Sequence, residues 1–193
     1  MDARSRYTNR VIREQLLLLI REKPLEKITV KELCERAEIN RATFYKYYDN
    51  PYDLLEKMES ERLDRLAAQI TENVSATLSD VFEIILKELS SDFEFYHTLF
   101  FQSGDDNFRK RLLDLCYQSN IRTIRTLFPN LTPTEQDWLY FFAADGLVGV
   151  LDKWMEGNMK ESVAEVLEFV NMIIYSIDRM ARHFAGSRYR NRT

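Results

Sequence analysis

Apolar and polar residues alternate along this chain with a period near 3.6 rather than 2, so helices are predicted almost throughout. The first periodic stretch, NRVIREQLLLLIREKP (9–24), sets Ile12, Leu16, Leu19 and Ile20 on one stripe. Thr8 or Asn9 suits its start, and Pro24 stops it. After the linker LEKI comes Thr29, followed three positions later by Glu32. That pair predicts a capping box, in which each side chain satisfies an amide left open by the first turn. The short helix it begins carries Val30, Leu33, Cys34 and Ala37 on one face and ends near Glu38. Asn40 then caps a third helix that is expected to run through about Tyr47, with Phe44 and Tyr48 turned inward.

Pro51 opens a longer helix over 51–73, whose apolar side is Leu54, Leu55, Met58, Leu63, Leu66 and Ile70. Further helices are predicted over 79–89, 91–101 and 105–128, with breaks at Ser90-Ser91 and at SGDD (103–106). LTPTEQDW marks the next start: Thr132 as cap, Pro133 at the first position and Glu135 completing a capping box. That helix ends at about Glu156, before Gly157-Asn158, and a last one covers about 162–184, before Gly186. The sum is an all-α chain of about nine helices, and 5 Gly and 4 Pro in 193 residues are too few for a fold rich in tight β-turns.

Charge changes the picture at one end. The chain has 27 basic and 31 acidic side chains, a net charge of −4. Residues 1–50 hold 11 of the basic and 8 of the acidic groups, a balance of +3, whereas the remaining 143 residues balance at −7. A basic end on an acidic body directs a polyanion to the first segment alone. No apolar run approaches the roughly 20 residues that cross a bilayer, and MDARSRYTNR lacks a secretory apolar core, so a cytoplasmic protein without membrane contact is expected. Cys34 and Cys116 show no CxxC spacing and sit at apolar positions, which suits small buried thiols.

Two short helices joined by a tight turn form a helix-turn-helix, whose second helix reads the major groove. The segment ITVKELCERAEINRATFYKYYDNPYDLLEKM (28–58) resembles the DNA-binding domain of the TetR/AcrR family of bacterial transcriptional regulators. The resemblance rests on the T-V-x-x-L entry to the second helix, on A-x-I-x-R-A-T-F-Y-x-Y-Y through the turn and third helix, and on Y-D-L-L in the fourth. It covers about the first 60 residues. Farther on, FFAADGLVGVLDKWMEGNMKES (141–162) is similar to the eighth-helix region of a subgroup common in Gram-positive bacteria. The resemblance implies a helix-turn-helix DNA-binding domain over 1–50 and a helical effector-binding and dimerisation domain over 51–193. Two departures stand out. Glu38 occupies a turn position where many members have Gly, one suited to positive φ. Pro51 replaces a lysine that often opens the fourth helix and touches phosphate, leaving Tyr52 and Lys57 as candidates to make up the contact.

By position in the matched motif, the DNA-facing set is Thr29, Lys31, Arg41, Thr43, Tyr45, Lys46 and Tyr47. Arg41 suits bidentate contact with guanine O6 and N7, worth ~1–3 kcal/mol of discrimination. The Thr29 and Thr43 hydroxyls, the two tyrosines and Lys46 suit phosphate and sugar, which fix position more than sequence. Arg4, Arg6 and Arg10 are either a strand-tracking arm or a solvated one. One such head reads an operator poorly; two related by a two-fold, ~34–36 Å apart, read a pseudopalindrome in double-stranded DNA. The resemblance implies a homodimer through helices 8 and 9, and Ala143, Ala144, Gly146 and Gly149 together with an apolar ninth helix allow it. It also implies a small-molecule effector held among helices 4 to 8. The aromatic richness there points to an apolar or aromatic ligand, with Phe95, Phe101, Tyr117, Trp138, Phe142 and Asp145 as candidates.

An enzyme would need a nucleophile–base pair, a metal cluster or a glycine loop for phosphate. With His97 and His183 far apart and no Gly-rich loop, no catalytic, cofactor or metal site is expected. A helical adaptor would not need Arg41, Tyr45 and Tyr47 arrayed outward. The resemblance then implies a ligand-responsive, dimeric transcriptional regulator, expected to be a repressor; some relatives of the subgroup activate transcription instead.

Overall fold

The computed structural model describes residues 3–72, 77–102 and 107–190, with side chains described up to Phe184. Regular structure among them is entirely helical: α1 (Ala3–Glu22), α2 (Val30–Arg36), α3 (Arg41–Phe44), α4 (Pro51–Glu72), α5 (Leu78–Ser91), α6 (Phe93–Phe101), α7 (Asn107–Leu127), α8 (Pro133–Glu156) and α9 (Val163–Arg190), with a 3-10 turn at Leu25–Lys27. The SGDD break expected at 103–106 lies outside the described residues.

The chain divides into two compact units, Met1–Arg65 with Phe93–Lys110, and Leu66–Asp92 with Arg111–Thr193. In the first, the helices meet around Ile12, Leu16, Leu19, Leu33, Phe44 and Leu54, all fully buried. Each such side chain stabilises the unit by ~1.5–3 kcal/mol through lost water contact. α1 starts about six residues earlier than the apolar pattern predicts. Its first two turns are solvated, so they carry no stripe, and pairs such as Arg10–Glu14 (3.4 Å) support them instead.

Three local outcomes shape the segment from α2 to α4. First, Thr29 caps α2 by accepting from the Glu32 amide (3.2 Å), but the capping box is only half made. Glu32 turns its carboxylate to Lys23 Nζ (2.5 Å), a longer-range partner that the local motif does not reveal. Second, α2 closes in a Schellman arrangement: Ile39 N donates to Cys34 O (3.0 Å) and Glu38 N to Glu35 O (3.4 Å). This requires Glu38 to adopt φ 52°, as its place in the motif suggested. Third, α3 is a single turn, shorter than expected. After Phe44 the bonds tighten, with Tyr47 N and Tyr48 N both reaching Phe44 O (2.9 and 3.0 Å), so Tyr45–Tyr47 continue as turns.

In the second unit α5 and α8 pack on α9. α8 begins as predicted, with both arms of the Thr132–Glu135 box formed. The buried Gln136 amide donates to Phe128 O (2.9 Å) and Leu131 O (3.2 Å), fastening the preceding loop over a core of Ile124, Phe128, Leu131, Tyr140 and Ala181. α8 ends in a second Schellman arrangement, in which Asn158 (φ 57°), not Gly157, takes the left-handed position. α9 runs on through Gly186 instead of ending before it. One glycine in a helix costs about 1 kcal/mol, too little to end it.

Candidate nucleic-acid interface

The head is assembled by contacts at long sequence separation. Tyr48 is buried, and its hydroxyl donates to Asn9 Oδ1 (3.1 Å) while accepting from Arg13 Nε (3.1 Å). Arg13 extends its other nitrogens to Glu61 on α4 in a bidentate pair (2.5 and 2.6 Å). Donating to Glu61 raises Arg13 above its ordinary value and correspondingly holds the Glu61 carboxyl below its own. α1, the end of the recognition turn and α4 are thus locked together through one phenol and one guanidinium. Phe44, fully buried, supplies the apolar half of the same anchor, with its ring 5.7 Å from that of Tyr48. α6 is docked on α1 by Arg21, which donates to Thr98 Oγ1 (3.0 Å) and Glu94 O (3.1 Å) and pairs with the Glu94 carboxylate.

With Phe44 and Tyr48 fixed inward, the opposite side of the segment faces water. Thr29, Lys31, Arg41, Tyr45 and Lys46 are exposed, Tyr45 by 55%, and Thr43 and Tyr47 are half-buried. Among the described residues no carboxylate pairs with Arg41 or Lys46, and Lys31 meets Glu35 only at 3.8 Å. The two threonines differ chemically. Thr29 Oγ1 accepts from an amide and keeps its proton to donate outward. Thr43 already donates to Asn40 Oδ1 (2.9 Å), the oxygen that also accepts the Thr43 amide (2.7 Å). Of the residues offered in place of the missing helix-opening lysine, Tyr52 is 53% exposed, whereas Lys57 is tied to Tyr47 O and Asp53.

The residues considered for an effector fall in both units. Phe95 is buried in the first unit against Tyr96 and under the Arg62 guanidinium, and Phe101 lies at the surface of α6 beside His97. In the second unit Tyr117 stacks on Phe141, meets Tyr140 edge-on and donates to Asp137 (3.0 Å). Trp138 (69% exposed), Phe142 (70%) and Asp145 project from α8 into solvent. Burial pushes the Cys116 thiol up to about 12, and Cys34 is buried and free. Among the described residues no group of three or more His, Cys, Asp or Glu is arranged to hold a metal ion. No described helix is long and apolar enough to cross a membrane.

Sequence reasoning missed the Asn9–Tyr48–Arg13–Glu61 lock and the role of Lys57. Their partners lie 10 to 48 positions apart, beyond any helical period. It also missed Phe141, Phe169, Met172, Tyr175 and Met180 as exposed apolar residues of α8 and α9, although a count of large side chains at spacings of three and four would have found them.

The family model for bacterial regulatory proteins of the tetR family matches residues 12–58, and one for a transcriptional regulator C-terminal region matches 76–176. The chain is 23% identical over 157 residues to the uncharacterized HTH-type transcriptional regulator YxbF of Bacillus subtilis (strain 168). That match covers 78% of this chain but only 40% of its relative's length. A transcriptional regulator of the TetR/AcrR type from Aquifex aeolicus VF5 has the same fold, with TM-score 0.65 at 16% identity over 88% of this chain and 99% of that one. So does the fatty acid degradation regulator FadR from Bacillus halodurans, with TM-score 0.64 at 16% identity over 86% and 93%. With both segments matched in order and the reading head built as described, the chain belongs to the TetR family of bacterial transcriptional regulators.

Proposed function

We propose that the protein is a cytoplasmic, homodimeric repressor that binds a pseudopalindromic operator in double-stranded DNA and releases it on binding an apolar or aromatic small molecule. The observation that carries the DNA-binding part is the outward face of the recognition segment. Arg41 and Lys46 stand there without carboxylate partners among the described residues, on a scaffold fixed by Phe44 and Tyr48. Arg41 reads a base edge; Thr29, Lys31, Tyr45, Lys46 and Tyr47 hold phosphate and sugar.

The second unit supports the dimer. Trp138, Phe141, Phe142, Asp145, Gly146 and Gly149 fall on one stripe of α8, all exposed. α9 exposes Phe169, Met172, Tyr175, Met180 and Phe184, large apolar side chains that a second copy would cover. A Cβ added at Gly146 or Gly149 would meet nothing within 4 Å of the single chain, which leaves the space to a neighbouring helix. On this reading Trp138 and Phe142 serve the partner chain rather than the effector. Selection from random duplexes, followed by gel shifts across a salt series, tests the proposal. A two-fold-symmetric sequence bound with a steep salt dependence is expected. Failure to enrich any sequence would leave a helical interaction protein as the better reading.

A further inference from the structure

We infer that Lys57 is a positioning residue for DNA reading: it holds the recognition segment in its direction from α4 and does not itself grip phosphate. The inference rests on the DNA-binding function proposed above. α3 comprises one helical turn, and beyond Phe44 the chain proceeds by tightened turns. A ladder so short cannot by itself fix where Tyr45, Lys46 and Tyr47 point. Something outside must hold the free end.

Lys57 is placed to do so. Its Nζ donates to Tyr47 O (3.0 Å) and to Asp53 Oδ2 (2.9 Å), and it lies 5.4 Å from the centre of the Tyr48 ring. The same Asp53 oxygen accepts the Asp49 amide (2.9 Å), and the Asp53 amide is held by Asn50 Oδ1 (3.0 Å). One ammonium and one carboxylate therefore tie the second half of the connection between α3 and α4, from Tyr47 to Asp49, to the first turns of α4. Two of the three ammonium protons are used in these bonds, and Asp53 neutralises the charge. A phosphate approaching Lys57 would meet a neutral pair instead of a free cation, unlike at Lys46. The Tyr47 carbonyl is the last polar backbone group before the buried Tyr48, so fixing it fixes the side of the segment that Tyr47 and Lys46 present.

The test uses the full-length protein, the duplex that the wild type selects from a random library, and a random-sequence duplex of equal length. Lys57→Met, which keeps the stem and removes charge and donors, is compared with Lys57→Arg, Asp53→Asn and Lys46→Ala. Lys57→Met is expected to weaken binding to the selected duplex about three- to tenfold, to leave the random duplex within about twofold, and to keep the slope of log K against log salt. Asp53→Asn follows it in direction, Lys57→Arg restores part of the loss, and Lys46→Ala lowers the slope by about one per monomer. Without DNA, the Asp49 amide exchanges faster in Lys57→Met. Equal loss on both duplexes with a reduced slope would make Lys57 a phosphate anchor and overturn the inference, as would unchanged binding in both Lys57→Met and Asp53→Asn. If the wild type enriches no sequence, the DNA-binding reading fails first and this inference falls with it.

Discussion

Replacing Glu38 with glycine is expected to stabilise the chain. Glu38 holds φ 52° because the Schellman end of α2 needs a left-handed residue there, and the two bonds that define that end, from Ile39 N and Glu38 N, depend on it. A side chain bearing Cβ costs about 1–2 kcal/mol in this conformation. Glycine removes that cost but loses about 0.5–1 kcal/mol through the greater freedom of the unfolded chain. Glu38 is exposed, so its carboxylate gives up no buried contact. The difference spans about 0–1.5 kcal/mol and centres on about 0.75 kcal/mol, which for a chain of this size raises Tm by about 1.5–3 °C. Circular dichroism melts read it at one fixed protein concentration, since self-association also moves Tm, with the urea midpoint as second readout at constant m. Glu38→Asn should recover part of the gain, because asparagine tolerates this region better than most residues. Glu38→Gln, which keeps the conformational cost and removes the charge, should not shift the melt. If Glu38→Gln stabilises as much as Glu38→Gly, charge and not backbone conformation is the cause, and the reasoning is refuted.

Three further outcomes are expected. Arg41→Ala relaxes preference at one operator position, whereas Lys46→Ala weakens all duplexes alike and flattens the salt slope by about one unit per monomer; identical losses on every sequence for both would contradict the roles assigned. Phe142→Asp on α8 or Tyr175→Asp on α9 puts a charge into the apolar stripe and should weaken self-association at least thirtyfold by sedimentation, with operator affinity falling in step; a dimer that persists in both variants would place the interface elsewhere. The Glu61 carboxyl is held below its ordinary 4.5 by the Arg13 hydrogen bond, so the stability it contributes is complete above 4.5 and is lost as pH falls through the lower folded value. Urea titrations of Glu61→Gln should therefore show lower stability at neutral pH and a shallower decline below 4.5 than the wild type. Parallel pH curves would separate Arg13 from that stability.

Helix content, the caps at Thr29, Asn40 and Thr132, the inward pair Phe44 and Tyr48 and the outward recognition face were legible in the sequence. Each is a local property: periodicity assigns a face to water or core within a few turns, and a cap needs only its own next three residues. The positive φ of Glu38 was legible only through the resemblance, which puts Gly at that turn in many members. Tertiary structure decided whatever depends on a partner far away. Glu32 abandoned its half of the capping box because Lys23 was nearer in space than its position in sequence suggests. α3 stopped after one turn, and Lys57, Arg13 and Glu61 acquired their roles, because other helices brought donors and acceptors to the unfinished turn. The helical pattern says that a side chain is exposed or buried. Only the packing of separate helices says what it meets, since that requires distances between residues whose sequence separation carries no period.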